Sequence, residues 1–406
     1  MSLLSMPFIR PIPFADRLNN VETSAIRELF KLLGKPGIIS FAGGFPDPSL
    51  FDVDGIREAV NAALTHDSGA ALQYGMTEGF NPLREQLAAL MAQKGCNNVQ
   101  PDQLIVTTGS QQALDLIGKT LIDAGDKVIV EGPTFLATIQ CFRLYGADLV
   151  SAPIDAHGVQ VDALEALIVE HKPKLIYLIP TFGNPSGATL TLERRKRVLE
   201  LAAKYQTLVV EDDPYSDLYF DAPPPPSLLA LSAEVAGSRD YLVHCGSLSK
   251  ILSPGLRIGW MIAPPELLGK ATMCKQFSDA HTSTFAQATA AQYLKAGRMP
   301  ATLERVRRVY AERALAMGEA LHRDIGDKIS FTAPQGGLFF WARLTDKTPL
   351  TGSTLAKSAI EKGVAFVPGA PFYANNPDHA TLRLSFATAD VDKINEGISR
   401  LAQALA

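Results

Sequence analysis

The sequence predicts an α/β fold built on a mainly parallel sheet, and two patterns along the chain indicate it. Short runs that are almost entirely apolar alternate with helical patterns through the middle of the chain. Such runs are typical of strands covered on both faces. Most of them are separated by enough chain for a crossover helix, so those strands should run parallel. The runs lie at 103–107, 127–131, 174–179, 207–211, 241–245 and 256–263.

The connection between the last two of these runs is different. Only ten residues separate 241–245 from 256–263. That length is too short for a usual crossover, so we expect the last strand to be antiparallel. From about residue 290 to Leu321 the pattern is helical.

Strand-like pieces return near the C-terminus, at 336–344, 364–369 and 381–387. Near the N-terminus, apolar residues at helical spacing between positions 26 and 33 follow the capping candidates Thr23 and Ser24, which predicts a helix. A chain of 406 residues suggests two domains, at roughly 100–200 residues per domain.

We therefore predict a large α/β domain at 55–295. A smaller α+β domain would combine the N-terminal segment 1–54 with residues 296–406.

Composition excludes several classes of partner. Hydrophobic residues make up 47 % of the chain and charged residues 20 %, with a formal net charge of −4 and acids and bases mixed throughout. Without a basic tail or stripe, we expect neither nucleic acid nor an acidic membrane surface as a partner. The sequence contains no run of about 18 apolar residues, so we predict no membrane span.

The cysteines and histidines indicate a cytoplasmic protein without a metal site. The four cysteines lie far apart and form no CxxC pair, which favours reduced thiols over disulfides or a zinc site. The seven histidines are scattered, without metal-like spacing. Prolines interrupt the N-terminal sequence MSLLSMPFIRPIPF, which lacks the long apolar region of a signal peptide.

The unusual polar residues follow the carboxyl ends of the predicted strands, where ligands bind in open α/β sheets. If the last strand is antiparallel, the residue at its start lies at the same edge. The residues are Gly109, Ser110, Gln111, Pro133, Phe135, Asn184, Asp212, Tyr215, Ser247, Ser249, Lys250 and Arg257.

One end of the resulting crevice has the pattern of a phosphate site. The segment 107–116, TTGSQQALDL, predicts a strand, a glycine turn and a helix N-terminus, whose free N–H groups and dipole attract anions. Ser110 would add a hydroxyl and Arg257 a fixed positive charge. By itself the pattern fits an ordinary helix cap equally well.

The other polar residues suit a heterocyclic aldehyde. Asp212 would keep a ring nitrogen protonated, although a lone strand-end Asp is more often part of a turn. Tyr215 could reach a ring hydroxyl, and Phe135 could stack on the ring or simply belong to the core. Lys250 could form an imine, provided that desolvation and Arg257 lower its pKa.

These residues carry a resemblance to a known family. The string SLSKILSPGLRIGW at 247–260 resembles the cofactor-lysine segment of class I/II aminotransferases, which are fold type I pyridoxal-phosphate enzymes. NPSG at 184–187, EDDPY at 211–215 and Arg383 in RLSFA match in the same order. The resemblance extends from about residue 20 to the C-terminus, and it implies a seven-stranded, mainly parallel sheet with helices on both faces.

The resemblance implies a role for each matching residue. Lys250 would hold pyridoxal 5′-phosphate as a Schiff base and move a proton during catalysis. Asp212 would pair with the ring nitrogen, and Asn184 and Tyr215 with the phenolic oxygen. The phosphate would be held by Ser110, Gln111, Ser247, Ser249 and Arg257. Phe135 would stack on the ring, although many members have Tyr or Trp there.

Arg383 would clamp the substrate α-carboxylate, with Asn184 beside it. Tyr74, in QYGMTEG, matches a tyrosine that reaches the cofactor phosphate of the neighbouring subunit, which implies a homodimer with shared active sites. The segment 24–51 resembles the 2-aminoadipate and kynurenine (aromatic) aminotransferase subgroup. There Arg27 could pair with an acidic substrate side chain, or lie on a solvated helix face, and Gly43 and Gly44 could line the pocket.

The resemblance thus implies a ping-pong aminotransferase that moves an amino group from aminoadipate, an aromatic or another amino acid to a 2-oxo acid, with 2-oxoglutarate expected. The motifs specify the cofactor better than the reaction, so a β-lyase or decarboxylase on the same fold remains an alternative. A pyridoxal-phosphate-sensing regulator is less expected. Only about 20 residues precede the matching segment, too few for a winged helix.

Overall fold

The computed structural model describes residues 13–18 and 37–406. Its strands, numbered in chain order, are β1 Ile39–Ser40, β2 Leu104–Thr108, β3 Lys127–Gly132, β4 Asp148–Asp155, β5 Gly158–Val159, β6 Leu175–Leu178, β7 Leu208–Asp213, β8 Leu242–Ser247, β9 Ile258–Ile262, β10 Ile329–Phe331, β11 Phe339–Leu344, β12 Val364–Ala365, β13 Val367–Pro368 and β14 Thr381–Ser385.

The α-helices of the same part of the chain are α1 Val53–His66, α2 Ser68–Leu72, α3 Asn81–Gln93, α4 Ser110–Leu121, α5 Leu136–Leu144, α6 Val161–His171, α7 Leu192–Tyr205, α8 Leu228–Leu231, α9 Pro265–Asp279, α10 Thr284–Lys295, α11 Met299–Ile325, α12 Gly352–Glu361 and α13 Val391–Ala404. No helix within 13–18 or 37–406 is both long enough and apolar enough to cross a membrane. The helix predicted between positions 23 and 33 lies outside the described residues.

The central sheet confirms the predicted α/β fold. Its strand order is β2-β9-β8-β7-β6-β3-β4-β5. The neighbouring pairs β8–β7, β7–β6, β6–β3 and β3–β4 are parallel. Every residue of β6 and β9 is buried, as expected for strands that are covered on both faces.

Strand β9 is antiparallel to both of its neighbours, β8 and β2, as its short connection predicts. Its first residues therefore meet the carboxyl ends of the other strands at one edge of the sheet. Because of this arrangement, Arg257, which directly precedes β9, lies at the same edge as Lys250, which follows β8.

The sheet has eight strands in place of the predicted seven. The additional strand is the two-residue β5, which pairs antiparallel with β4 at the edge of the sheet. Strand β4 itself is absent from the apolar runs, because Asp148, Ser151 and Asp155 interrupt its sequence and several of its side chains remain partly exposed.

A separate sheet of four antiparallel strands, β10-β11-β14-β13, contains the predicted pieces 336–344 and 381–387 and the second part of 364–369, since β12 belongs to another sheet. Strand β1 pairs in parallel with β12, so Ile39 lies opposite Val364 and the two terminal parts of the chain meet. This pairing accords with a smaller domain built from both termini. The boundaries at 54/55 and 295/296 stay a prediction.

Candidate active site

A cavity of about 390 Å³ opens where the carboxyl ends of the central strands meet β9. It brings together almost all of the predicted site residues. The predicted residues that line it are Gly44, Ser110, Gln111, Phe135, Asn184, Asp212, Tyr215, Ser247, Ser249, Lys250, Arg257 and Arg383. Five loops of the large sheet and one strand of the four-stranded sheet therefore contribute to a single site.

Lys250 is the amine of this cavity. Its Nζ donates a hydrogen bond to the carbonyl oxygen of Gly44 at 2.8 Å. Burial lowers the pKa of Lys250 to about 8, and the positive charges of Arg383 and Arg257 act in the same direction. A larger fraction of this amine is therefore neutral near pH 7 than of a solvated lysine, whose pKa is about 10.4. The neutral form is the nucleophile that attacks an aldehyde.

This lowered pKa predicts the pH dependence of Lys250 reactivity in the cofactor-free protein. Because only the neutral amine is nucleophilic, labelling should rise with pH and level off above a midpoint near pH 8. Competitive labelling with acetic anhydride, quantified for the Lys250 peptide by mass spectrometry, measures this midpoint. A labelling curve that is still rising at about pH 10, as for a solvated lysine, would contradict the assignment.

Asp212 is the acid of the cavity and is incompletely paired. The hydroxyl of Tyr177 donates to its Oδ2 at 2.7 Å. Its Oδ1 is buried and has no hydrogen-bond partner among residues 13–18 and 37–406. Burial raises the pKa of Asp212 to about 6, against the hydrogen bond from Tyr177. A cationic N–H group beside Oδ1 would satisfy that oxygen and favour the ionised carboxylate.

The acids on either side of Asp212 have partners away from the cavity. Side chains alternate across a strand, so Glu211 and Asp213 point to the opposite face of β7 from Asp212. Glu211 accepts from Nδ1 of His244 at 2.8 Å and from the amide of Leu228 at 2.7 Å. The hydroxyl of Ser216 donates to Asp213 at 2.7 Å. The run of three acids at 211–213 therefore does not point to one shared cation, and only Asp212 offers an unpaired oxygen to the cavity.

The opposite end of the cavity is built to bind an anion. Helix α4 begins at Ser110, and its N-cap residue Gly109 provides no side-chain cap. Gly109 has φ +73°, and a Cβ there would lie 2.3 Å from Nη2 of Arg257. A side chain at this position would displace the guanidinium, and the positive φ itself favours glycine. The positive helix end and Arg257 together favour a phosphate.

The loop after β8 adds hydroxyl groups to this end. The Ser247 hydroxyl accepts a hydrogen bond from the amide of Ser249 at 3.1 Å. Nη1 of Arg257 lies 3.5 Å from the Ser249 hydroxyl, and its Nη2 donates to the carbonyl of Thr108 at 3.2 Å. Two loops that are remote in sequence are thus tied together around the predicted phosphate site.

Arg383, on β14, supplies a buried cation on the side of the cavity near Gly44. Its Nη1 donates to Oδ1 of Asn184 and its Nη2 to the carbonyl of Ala42, both at 2.8 Å. Its Nε is buried and has no partner within the described ranges. The guanidinium lies 4.2 Å from the ring centre of Phe339. Since a guanidinium has five N–H donors, a planar fork remains for a carboxylate.

Asn184 connects Arg383 to Tyr215. Burial raises the pKa of the Tyr215 phenol, while Arg383 and a hydrogen bond with Asn184 act in the other direction. The Tyr215 ring packs edge-on against Phe339, at 6.0 Å between centroids. These contacts hold the Tyr215 hydroxyl at the cavity, where it can donate to an anionic oxygen.

Four predicted residues, Tyr74, Gly43, Gly109 and Pro133, are not part of the lining of this cavity. Tyr74 is 86 % exposed and lies outside the lining. Gly43 is not part of the lining either, although its neighbour Gly44 is. Arg27 lies outside the described residues.

The cavity also contains residues that the sequence analysis did not single out. Leu136, Gln140 and Phe372 line it. Tyr177 lies outside the lining, and its hydroxyl donates a hydrogen bond to Asp212. Only Tyr177 has a signal in the sequence, because a tyrosine hydroxyl inside a fully buried strand requires a partner. The others depend on which face of α5 and which loop of the smaller sheet meet the cavity.

The donor set fits pyridoxal phosphate. Lys250 offers a nucleophilic amine for the aldehyde, and the unpaired Oδ1 of Asp212 offers an anionic partner for the ring nitrogen. The Gly109–Ser110 turn and Arg257 form an anion site for the phosphate. Phe135 also lines the cavity and offers an aromatic ring to it.

Comparisons with known proteins agree with this geometry. The family model described as aminotransferase class I and II matches residues 42–401. The chain is 43 % identical to the 2-aminoadipate transaminase of Thermus thermophilus, over 97 % of this chain and 96 % of that one. It is 39 % identical to aromatic-amino-acid aminotransferase 1 of Thermococcus litoralis, over 97 % and 94 %.

Among solved structures, the chain is similar to the α-aminoadipate aminotransferase LysN of Thermus thermophilus, complexed with N-(5′-phosphopyridoxyl)-L-leucine. The two superpose with a TM-score of 0.89 at 42 % identity, over 97 % of each chain.

Proposed function

Because the chain belongs to the class I and II aminotransferases and uses pyridoxal 5′-phosphate, we propose that it transfers amino groups from a broad set of amino acids to 2-oxoglutarate by a ping-pong mechanism. The observation that carries the proposal is one cavity with Lys250, Asp212 and Arg383 in its wall. It combines an activated amine, an unpaired acid and a carboxylate-binding cation.

Each of these residues has a distinct task in the proposed mechanism. When bound, pyridoxal phosphate draws electron density from the substrate α-carbon through its protonated ring, which makes the α-proton acidic. Asp212 would hold the protonated ring nitrogen through its free Oδ1. Arg383 binds the α-carboxylate and thereby orients the α-carbon. Nζ of Lys250 would take up the α-proton and give it back, as the general acid–base group of the site.

Gly44 helps Lys250 in this task. The Gly44 carbonyl accepts from Nζ at 2.8 Å, and a Cβ on Gly44 would lie 4.0 Å from Nη2 of Arg383. The amine is therefore held beside the carboxylate-binding arginine. The arrangement places the acid–base group and the substrate anchor on the same side of the cavity, as transfer of an α-proton requires.

The lining of the cavity supports a broad choice of amino donor. Leu136, Ala137 and Phe372 give apolar surface, and Gln140 gives one amide. Such a wall accommodates an aromatic or long aliphatic side chain and can donate to a distal carboxylate. The relatives named above for 2-aminoadipate and for aromatic amino acids have substrates of these two kinds.

A panel of amino donors with 2-oxoglutarate tests the proposed reaction. Glutamate should form in step with the 2-oxo acid of each donor, and aminoadipate and aromatic donors should be among the best. Varying both substrates should give parallel lines in double-reciprocal plots. Intersecting lines would contradict the ping-pong order. Release of ammonia or carbon dioxide without glutamate would favour a β-lyase or a decarboxylase.

We also propose that the protein acts as a homodimer with shared active sites. Leu72, Tyr74, Met76 and Phe277 are large apolar side chains that are between 66 % and 86 % exposed. Tyr74 packs edge-on against His281, at 5.8 Å between ring centroids. The neighbouring Thr282 hydroxyl lies 3.1 Å from that of Thr108, next to the phosphate end of the cavity. A second copy covering this surface would receive Tyr74 near its own phosphate site.

Hybrid dimers test whether Tyr74 serves the partner. A Tyr74→Ala subunit and a Lys250→Ala subunit, co-expressed with different tags, give hybrids purified by both tags. If Tyr74 acts across the interface, each hybrid has one site with both natural residues. Such hybrids should regain about half of the natural activity at limiting cofactor, since losing one hydrogen bond to a charged group weakens binding roughly 10- to 100-fold.

The two parent homodimers are the controls, and both should stay nearly inactive under these conditions. If Tyr74 instead serves its own site, the hybrid has no intact site, and it should gain nothing over the Tyr74→Ala parent. That result would contradict shared active sites while leaving the assignment of Lys250 untouched.

A cytoplasmic location is the last part of the proposal. Cys96, Cys141, Cys245 and Cys274 are all free, and the first three are buried. Burial raises the pKa of Cys96 to about 11 and that of Cys141 to about 12. Such thiols are kept as small core residues, which is typical of proteins in a reducing compartment.

A further inference from the structure

A second polar cluster lies behind the phosphate end of the cavity, outside the lining residues. Lys275 and Asp279 face each other in the last turn of α9. The side chain of Lys275 is fully buried, and its Nζ donates to both carboxylate oxygens of Asp279, at 2.8 and 3.0 Å. An ammonium group without solvent is costly unless it is paired, so the lysine holds this carboxylate firmly in place.

Asp279 also forms hydrogen bonds with residues on both sides of the Gly109–Ser110 turn, the predicted phosphate-binding loop. Its Oδ2 accepts from Nε2 of Gln112 at 2.7 Å and from the hydroxyl of Thr108 at 3.2 Å. Oε1 of Gln112 in turn accepts from the amide of Thr108 at 2.8 Å. Thr108 ends β2 and Gln112 lies in the first turn of α4. One carboxylate therefore fixes the strand and the helix that flank Gly109 and Ser110.

The backbone after Asp279 is strained and leads to Tyr74. Ala280 has φ +60° and ψ −55°, and the amide of His281 donates to the carbonyl of Asp279 at 2.7 Å. This is a γ-turn with a positive φ, a conformation that non-glycine residues rarely adopt and that neighbouring contacts must hold. The bonds of the Asp279 side chain supply such contacts. His281, at the end of the turn, packs against Tyr74.

We propose that Lys275 and Asp279 form a positioning pair for the cofactor phosphate. The pair fixes the Gly109–Ser110 loop of its own subunit and, through the turn at Ala280, the segment that presents Tyr74 to the partner. The inference rests on the proposed function, because it requires the phosphate at this end of the cavity. Neither residue touches the cofactor, since both act through Thr108, Gln112 and the turn.

Affinities for two forms of the cofactor test the proposal. The cofactor-free full-length protein is titrated with pyridoxal phosphate and with pyridoxal, which lacks the phosphate. Asp279→Asn should weaken binding of pyridoxal phosphate about 10-fold or more, a loss typical of removing an outer-shell partner. Pyridoxal binding should change less than about twofold, within ordinary additivity error. An equal loss for both forms, or no loss for either, would overturn the proposal.

Lys275→Met keeps the length of the side chain and removes its charge. Like Asp279→Asn, it should lower the ratio of the affinity for pyridoxal phosphate to the affinity for pyridoxal. Because the two residues act as one unit, the double variant should lose little more than Asp279→Asn alone. Additive losses would contradict a single positioning pair.

Two further variants distinguish an error in the phosphate site from an error in the role given to Lys275 and Asp279. Asp52 accepts from Arg298 at 2.8 and 3.1 Å and caps α1, so Asp52→Asn also breaks a carboxylate pair but should leave the ratio unchanged. Arg257→Ala should reduce the ratio strongly. If it does not, the phosphate site itself is wrong. If only Asp279→Asn has no effect, the inference fails and the proposed function stands.

Discussion

Replacing Lys250 with alanine is expected to reduce turnover by about 10⁴-fold or more. General acid–base catalysis alone contributes about 10²–10⁴-fold, and this variant also loses the amine that would bond to the cofactor. The absorbance of the Schiff base between Lys250 and the cofactor, near the boundary of the ultraviolet and visible ranges, should disappear or shift. Steady-state glutamate formation and the absorption spectrum measure the two effects.

Lys196→Ala is the matched control for this variant. Lys196 lies on α7 and pairs with Glu234 on the surface, at 2.7 Å and with 42 % of its side chain exposed. The control should retain normal turnover and a normal spectrum. Steady-state transamination at an undiminished rate by Lys250→Ala would refute the role given to this lysine.

Arg383→Ala is expected to produce the second-largest loss, about 10²–10⁴-fold in kcat/KM for the amino donor. The guanidinium would give a carboxylate two charge-assisted hydrogen bonds, each contributing about 1.5–3 kcal/mol. The loss should appear mainly in substrate binding, with the affinity for pyridoxal phosphate nearly unchanged. Kinetics with a good donor and a cofactor titration together provide the comparison.

Arg383→Lys serves as the control for charge without the planar fork. It should recover only part of the lost kcat/KM, because a lysine cannot make the bidentate contact. Arg383→Ala should also raise the pKa of Lys250, since Arg383 is one of the charges that depress it. Equal losses of substrate and cofactor affinity would contradict the carboxylate role.

Much of this site is predictable from the sequence because of one property of parallel sheets. Polar residues directly after successive buried strands must meet at one edge, so the positions of Lys250, Asp212 and Asn184 along the chain suffice to group them. The short connection before β9 adds Arg257 to the same edge. These inferences need only strand direction, which chain length between apolar runs decides.

Other features depend on packing that the sequence does not encode locally. Strand β4 escapes prediction because polar residues interrupt its apolar pattern. The bonds from Asp279 to Gln112 and Thr108 join residues 167 and 171 positions apart. No motif marks them, since they depend on how α9 packs against α4.

The acids at 211–213 show a limit of a different kind. Their clustering suggests one bound cation, but strand geometry sends Glu211 and Asp213 to partners on the other face. Of these three acids, only Asp212 retains a buried carboxylate oxygen without a hydrogen-bond partner in the described structure. The hypothesis for Asp212 therefore survives on its own geometry.

Borohydride reduction of the purified protein, followed by peptide mass mapping, most directly tests the bond between the cofactor and the chain. A pyridoxyl-phosphate mass increment should be found on the peptide that contains Lys250, and the yellow absorbance should be lost at the same time. An increment on another lysine, or a protein that takes up pyridoxal phosphate without any trapped label, would contradict the account.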